Sequence, residues 1–140
     1  ILCETDLLPG TLLHNTSHKF ICKNVHLKTI AKNTILTNGC SDSAIKIPIA
    51  HGEGKYFADK ATIKSLIQND QILFKYCSEN GEITEGANPN GSLLNIAGVC
   101  NKDYNVFGMM PHPERVADEE LKNTDGKILF ESILNKVFAL

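Results

Sequence analysis

The sequence has almost no excess charge of either sign. Its 140 residues carry 14 lysines and arginines against 16 aspartates and glutamates, which gives a net charge of −2. Without a basic excess there is no electrostatic reason to expect nucleic acid or an anionic membrane as a partner. No apolar run is long enough to cross a bilayer, and no signal peptide is visible. We therefore expect a cytoplasmic protein that binds neither nucleic acid nor membrane.

Paired cysteines are also missing. The five cysteines are odd in number and none stands in a Cys-x-x-Cys pair: Cys3, Cys22, Cys40, Cys77 and Cys100. This pattern argues against a disulfide framework and against a zinc ribbon, and favours reduced thiols in a cytosolic setting. Cys40, in a Gly-Cys-Ser turn, is the only thiol that we expect to be exposed, and it has no basic partner nearby in sequence.

A metal site is not predicted either. His14, His18, Cys22 and His26 recur every four residues, which would place them on one face of a continuous helix. The alternating apolar and polar residues that follow indicate an extended segment instead. On a strand these side chains would spread too far apart to bind one ion.

What is present is the pattern of a single α/β domain of ordinary size, with 42% hydrophobic residues. We predict strands over 19–30 (with a bulge near Lys23), 44–49, 71–76, 93–100 and 104–110. A helix capped by Asp59 is predicted over 60–69, and a closing helix capped by Thr124 or Asp125 follows. Residues 1–8 have helical spacing without a capping residue, so we expect the chain to begin inside a helix and to be a fragment.

The most informative motif is Pro111-His112-Pro113-Glu114. Proline restricts its own φ and disfavours helical geometry in the residue before it, which predicts an extended His112. Residues i and i+2 of an extended chain point to the same side. Glu114 is then expected to bind one ring nitrogen of His112 and to leave the other free to move a proton, as in a nucleophilic triad. The alternative is a proline-stiffened loop whose histidine makes a local cap.

A second candidate is the loop His51-Gly52-Glu53-Gly54. Its small residues would let backbone amides approach a ligand, so it is a candidate substrate-facing loop. It lacks the glycine spacing and the Gly-Lys-Ser pattern of a phosphate loop. A tight turn with an exposed histidine is the alternative, and on the residues alone it is the favoured one.

Taken together, segments 49–54, 88–92, 95–99 and 108–115 resemble a known family, the glutaminase subunits of phosphoribosylformylglycinamidine synthase. These are class I glutamine amidotransferases. The resemblance spans essentially the whole chain in the same order. It implies a flavodoxin-like, three-layer α/β fold in which residues 1–140 form the C-terminal part of one glutamine amidotransferase domain, lacking the first strands and the nucleophile elbow.

The resemblance also implies an activity. The family hydrolyses glutamine to glutamate and ammonia through a cysteine on a Gly-x-Cys-x-Gly elbow, with His112 as general base and acid and Glu114 orienting it. His51 would face the glutamine. Ammonia passes to a large synthetase subunit, which uses ATP and magnesium to convert formylglycinamide ribonucleotide to its amidine in purine synthesis. A small accessory subunit completes the complex, and no cofactor is expected in this chain.

One departure from the family pattern is important, because no Gly-x-Cys-x-Gly elbow occurs in these 140 residues. We therefore expect the chain alone to be inactive. Two alternatives stay open at this point. One is the glutaminase of a different class I amidotransferase, and the other is a non-catalytic interaction module that kept the fold.

Overall fold

The computed structural model describes residues 1–138, which form a mixed α/β fold. The strands are β1 (Thr11–Leu13), β2 (Ile21–Thr29), β3 (Ile45–His51), β4 (Lys55–Phe57), β5 (Ile72–Cys77), β6 (Ile96–Cys100) and β7 (Phe107–Met109). The α-helices are α1 (Lys60–Gln68) and α2 (Lys127–Phe138), and a short 3-10 helix covers Pro113–Val116.

Five of these strands form one antiparallel sheet in the order β3-β2-β5-β6-β7, and β1 pairs with β4 in a separate two-stranded sheet. The register of β2 and β3 runs without interruption from Ile21 opposite His51 to Leu27 opposite Ile45. Because side chains alternate along a strand, Leu27 and Ile47 are buried on the inner face while Lys46 is exposed on the other.

The sheet curls, so that the chain leaving one edge strand reaches the opposite edge strand. β7 and β3 lie at the two edges, yet the backbone N–H of His112 donates to the carbonyl of Pro48 at 2.8 Å. Further along, Asn123 Nδ2 donates to Lys46 O at 2.8 Å and Lys46 N donates to Asp125 Oδ2 at 2.7 Å. Residues 112–125 therefore cover the free edge of β3.

Two hydrophobic clusters fill the two sides of the sheet. The first contains Leu27, Phe74, Val116 and Leu129, so the 3-10 helix and α2 pack into the inside of the curl. The second contains, among others, Leu8, Tyr56, Leu66, Ile72 and Ile96, which join the first turns of the chain and α1 to the other face. The segment after β7 is thus held by burial of Val116 as well as by hydrogen bonds.

Most of the predicted elements are confirmed. The strands predicted over 19–30, 44–49 and 71–76 correspond to β2, β3 and β5. The helix predicted after Asp59 is α1, and the Asp59 carboxylate accepts the Thr62 N–H at 2.7 Å, as an N-cap does. The closing helix is α2.

Three local expectations are wrong. Residues 1–8 form turns rather than a helix, since Asp6 has a left-handed φ of 58° that a helix does not admit. No bulge interrupts β2 and β3, and the irregular register lies between β5 and β6 instead. β6 begins only at Ile96, because Leu94 and Asn95 both have positive φ. The pairing of β1 with β4 was not predicted.

Candidate active site

The His112 and Glu114 side chains are in contact. His112 Nδ1 lies 2.8 Å from Glu114 Oε1, and the His112 side chain is 31% exposed. An ionised carboxylate only accepts hydrogen bonds, so Nδ1 is a protonated nitrogen, and in the neutral ring Nε2 then keeps its lone pair. No residue within the described range binds Nε2. The expected contact is therefore present, with the basic nitrogen of His112 accessible.

The backbone that brings the pair together differs from the expected one. His112 has φ −106° and ψ 86° and is the N-cap of the 3-10 helix Pro113–Val116. Glu114 therefore lies in the first turn of a tight helix rather than two residues along an extended chain. Pro113 at the first helical position favours this turn, because its missing N–H would be unpaired there anyway.

The 3-10 helix is also held from the side of α2. The N–H of Gly126 donates to Val116 O at 2.8 Å. A Cβ added to Gly126 would lie 2.2 Å from the carbonyl oxygen of Pro113, so only glycine permits this approach. Together with the His112–Pro48 hydrogen bond, this contact fixes the position of the pair relative to both β3 and α2.

His51 lies at the end of β3 and is only 6% exposed, so the alternative of an exposed histidine in a turn is wrong. Its Nδ1 is 3.0 Å from Asn15 Oδ1, and its Nε2 is 3.4 Å from Asn90 Nδ2. Burial lowers the pKa of His51, and a charged His112 would lower it further. The role of His51 toward glutamine stays a prediction.

Asn15 and Asn90 are site residues that the sequence does not predict. Both are almost fully buried, at 0% and 1% exposure. Asparagine is common in polar turns, and both residues stand in such segments, so nothing in the sequence distinguishes them from exposed turn residues. Their burial follows from the way three loops meet, which only the tertiary structure shows.

The cysteines offer no nucleophile to His112. Burial raises the pKa of Cys40, and it raises that of Cys100 to about 11, so neither thiol is readily ionised. Cys22 is the exposed cysteine, while Cys40, the expected one, is half-buried. Among residues 1–138 no thiol is hydrogen-bonded to His112, and no group of three or more histidine, cysteine and carboxylate side chains could hold a metal ion.

Comparison with known proteins gives consistent results. A family model described as a CobB/CobQ-like glutamine amidotransferase domain matches residues 2–135. The phosphoribosylformylglycinamidine synthase subunit PurQ of Acaryochloris marina is 51% identical over 140 residues, and that of Synechocystis sp. is 53% identical over 133 residues. These alignments cover 99% and 94% of this chain, but 60% and 59% of the relatives.

The fold is shared with a solved structure. A chain in the structure of PurLQS from Thermotoga maritima is 41% identical and superposes with a TM-score of 0.78. The match covers 97% of this chain and 57% of that chain, so the present chain spans somewhat less than two thirds of the proteins that it matches. This confirms the fold class that the resemblance implied. Because the family model covers nearly the whole chain, the chain belongs to the CobB/CobQ-like glutamine amidotransferase family.

Proposed function

We propose that this chain carries the histidine–carboxylate half of the glutaminase site of a phosphoribosylformylglycinamidine synthase. The single observation that supports this most directly is the 2.8 Å contact between His112 Nδ1 and Glu114 Oε1, which leaves Nε2 free for proton transfer. The similarity to PurQ subunits supplies the reaction, which is hydrolysis of glutamine to glutamate and ammonia.

The chemistry follows from which atom holds the proton. His112 Nε2 would take the proton of a cysteine thiol as the sulfur attacks the amide carbon of glutamine. It would then give that proton to the leaving nitrogen, so that ammonia departs and a thioester remains. In the second half His112 would take a proton from water, which attacks the thioester, and would return it to the sulfur as glutamate leaves. The cysteine would come from an elbow that these 140 residues do not contain.

Glu114 would act through His112. Its carboxylate holds the ring in one tautomer and stabilises the imidazolium that forms when Nε2 accepts a proton. Arg115 Nε lies 3.8 Å from the same carboxylate oxygen. We also propose that the loop after His51 faces the glutamine, as the resemblance implies.

The same proposal includes the setting of the enzyme. Ammonia would pass to a large synthetase subunit that uses ATP and magnesium, with a small accessory subunit in the complex, and this chain would need no cofactor of its own. The similar chain from Thermotoga maritima lies in the structure of PurLQS. We propose a cytoplasmic location without nucleic-acid or membrane partners. No helix within residues 1–138 is long and apolar enough to span a bilayer.

The test uses a fusion protein, which we call the joined enzyme. It combines this chain with the part of the Synechocystis relative that lies outside the matched region, and the segments keep the order that they have in that relative. Glutamate release should be detectable in the joined enzyme and absent from the 140-residue chain. Changing His112 to Ala should lower kcat by about 10²–10⁴-fold, the usual contribution of a general acid–base group. Changing the exposed His18 to Asn is the matched control, and it should leave kcat unchanged.

Two outcomes would contradict the proposal. If His112→Ala retained the full rate, another group would be the proton carrier. If the joined protein bound the synthetase subunit but released no glutamate, the chain would be a non-catalytic interaction module.

A further inference from the structure

His51 is part of a buried polar network that joins three loops. Asn15 lies between β1 and β2, Gly54 between β3 and β4, and Asn90 between β5 and β6. The N–H of Gly54 donates to Asn15 Oδ1 at 3.1 Å, and its carbonyl accepts from Asn90 Nδ2 at 2.8 Å. The His51 ring lies between the same two asparagines. We call His51, Asn15, Asn90 and Gly54 the loop clamp.

The hydrogen bonds of Asn15 determine where the His51 proton lies. Asn15 Nδ2 donates to the carbonyls of Lys19 and His51, each at 2.8 Å, so its Oδ1 is the acceptor that faces the ring. His51 Nδ1 must therefore be the protonated nitrogen. On the other side, Asn90 Oδ1 accepts from Ser92 N at 3.1 Å, so Asn90 Nδ2 faces His51 Nε2 as a donor. Asn90 Nδ2 also donates to Gly54 O at 2.8 Å and lies 3.3 Å from Tyr76 Oη. A second ring proton would place two donors against each other, so this site favours the neutral ring.

The packing of Gly54 shows how closely the ring supports the loop. A Cβ built on Gly54 would lie 2.3 Å from His51 Cε1 and Nδ1. The ring therefore lies directly against the Gly54 backbone. In contrast, a Cβ on Gly52 would meet nothing within 4 Å. Gly54 is thus packed against the His51 ring, whereas no side chain or backbone atom of residues 1–138 packs against Gly52 in this way.

The loop clamp is connected to His112 through β3. His51 ends this strand, and three residues earlier Pro48 accepts the His112 N–H at 2.8 Å. The loop clamp and the backbone of His112 are therefore attached to the same strand, three residues apart.

We propose that His51 is a positioning residue: its neutral, Nδ1-protonated ring supports the loop 52–54 from behind and aligns it with His112, without touching glutamine itself. This inference rests on the proposed glutaminase function for its effect on the rate. The clamp itself can be tested without any activity. Asn15, Asn90 and Gly54 contact the His51 ring or the loop that it supports, so they belong to the same positioning unit.

The activity test uses the joined enzyme and two conservative replacements. Asn at position 51 can place an amide N–H near the position of Nδ1, and Gln can place one near Nε2. His51→Asn should therefore keep kcat within about threefold. His51→Gln should lower kcat about tenfold with little change in KM, since one lost hydrogen bond corresponds to roughly that factor. If both variants instead raised KM equally and left kcat unchanged, His51 would be a glutamine ligand and the proposal would be wrong.

A double-mutant cycle adds a second readout. If His51 and Asn90 act as one unit, His51→Ala and Asn90→Ala together should lower kcat by about as much as either change alone. Effects that multiply fully would show two independent roles and would overturn the clamp.

The clamp is tested independently of glutamine hydrolysis by NMR on the 140-residue chain. The nitrogen shifts of His51 should show Nδ1 as the protonated atom. Amide exchange at Gly54 should be at least tenfold faster in His51→Ala, while Phe74 in β5 stays protected and shows that the variant is folded. A proton on Nε2, or unchanged exchange at Gly54, would overturn the proposal. An inactive joined enzyme with these NMR results would instead show that only the proposed function is wrong.

Discussion

Replacing Gly54 with alanine should destabilise the protein, whereas the same change at Gly52, two residues earlier, should not. The two glycines share one loop and neither has a positive φ that would exclude alanine. They differ in what a methyl group would meet. At Gly54 it would lie 2.3 Å from the His51 ring, and at Gly52 it would enter open space.

The magnitude can be worked out from the contacts at each position. Gly54 cannot move away, because both its N–H and its carbonyl are hydrogen-bonded, and His51 is 6% exposed. Overpacking of this kind costs about 1–3 kcal/mol, and displacing the ring from Asn15 costs about 1 kcal/mol more. Loss of glycine freedom in the unfolded chain contributes about 0.4–1 kcal/mol in the opposite direction for both variants. The two variants should therefore differ by roughly 2–4 kcal/mol.

The measurement is urea unfolding of the 140-residue chain and its two variants. Gly54→Ala should shift the midpoint downward with an unchanged slope m, and Gly52→Ala should shift it slightly upward. The same comparison should be made in the His51→Ala variant. Because the ring is absent there, adding Gly54→Ala should lower the free energy of unfolding only slightly. Equal midpoints for the two glycine variants, or the same cost of Gly54→Ala with and without the His51 ring, would refute this reasoning.

Three further predictions concern the core, the support of the His112–Glu114 pair and the effect of pH. Leu129→Ala should cost about 2–5 kcal/mol of unfolding free energy, because Leu129 is fully buried, and the exposed Phe130→Ala on the same helix should cost much less. Gly126→Ala should lower both stability and the kcat of the joined enzyme, since its Cβ would lie 2.2 Å from Pro113 O; an unchanged kcat would show that this contact does not position the pair. Because burial holds the pKa of His51 below its ordinary value of 6.5, the unfolded chain binds the proton first as pH falls, so unfolding free energy should decrease below about pH 6.5. His51→Asn should remove this part of the pH dependence, and an identical slope in that variant would contradict the assignment.

The local elements could be predicted because their signals are local. Asp59 before an amphipathic segment predicts the start of α1, and alternation predicts β2 and β3. The turns at residues 1–8 could not be predicted in this way. Their apolar spacing is helical, but the left-handed Asp6 ends any helix, and the packing of Leu8 against the second core cluster decides the conformation. The pairing of β1 with β4 depends on a similar meeting of distant segments.

Part of the candidate site could likewise be predicted from local sequence, and part could not. The spacing of His112 and Glu114 predicts their contact, although a 3-10 turn rather than an extended chain produces it. The glycines around His51 suggest a loop near a ligand. Nothing in the sequence predicts that Asn15 and Asn90 enclose the ring, because the residues that bind one another lie between 36 and 39 positions apart in the chain.

The position of Pro48 explains why the His112–Glu114 pair lies on this edge of the sheet. A proline in a strand has no N–H to donate, so a further strand cannot pair regularly with β3 at this point. The carbonyl of Pro48 still needs a donor, and the His112 N–H supplies it at 2.8 Å. A single hydrogen bond at that position holds a loop without extending the sheet. The edge is therefore protected from pairing with another chain, and His112 and Glu114 lie on a loop and a 3-10 helix instead of on a paired strand.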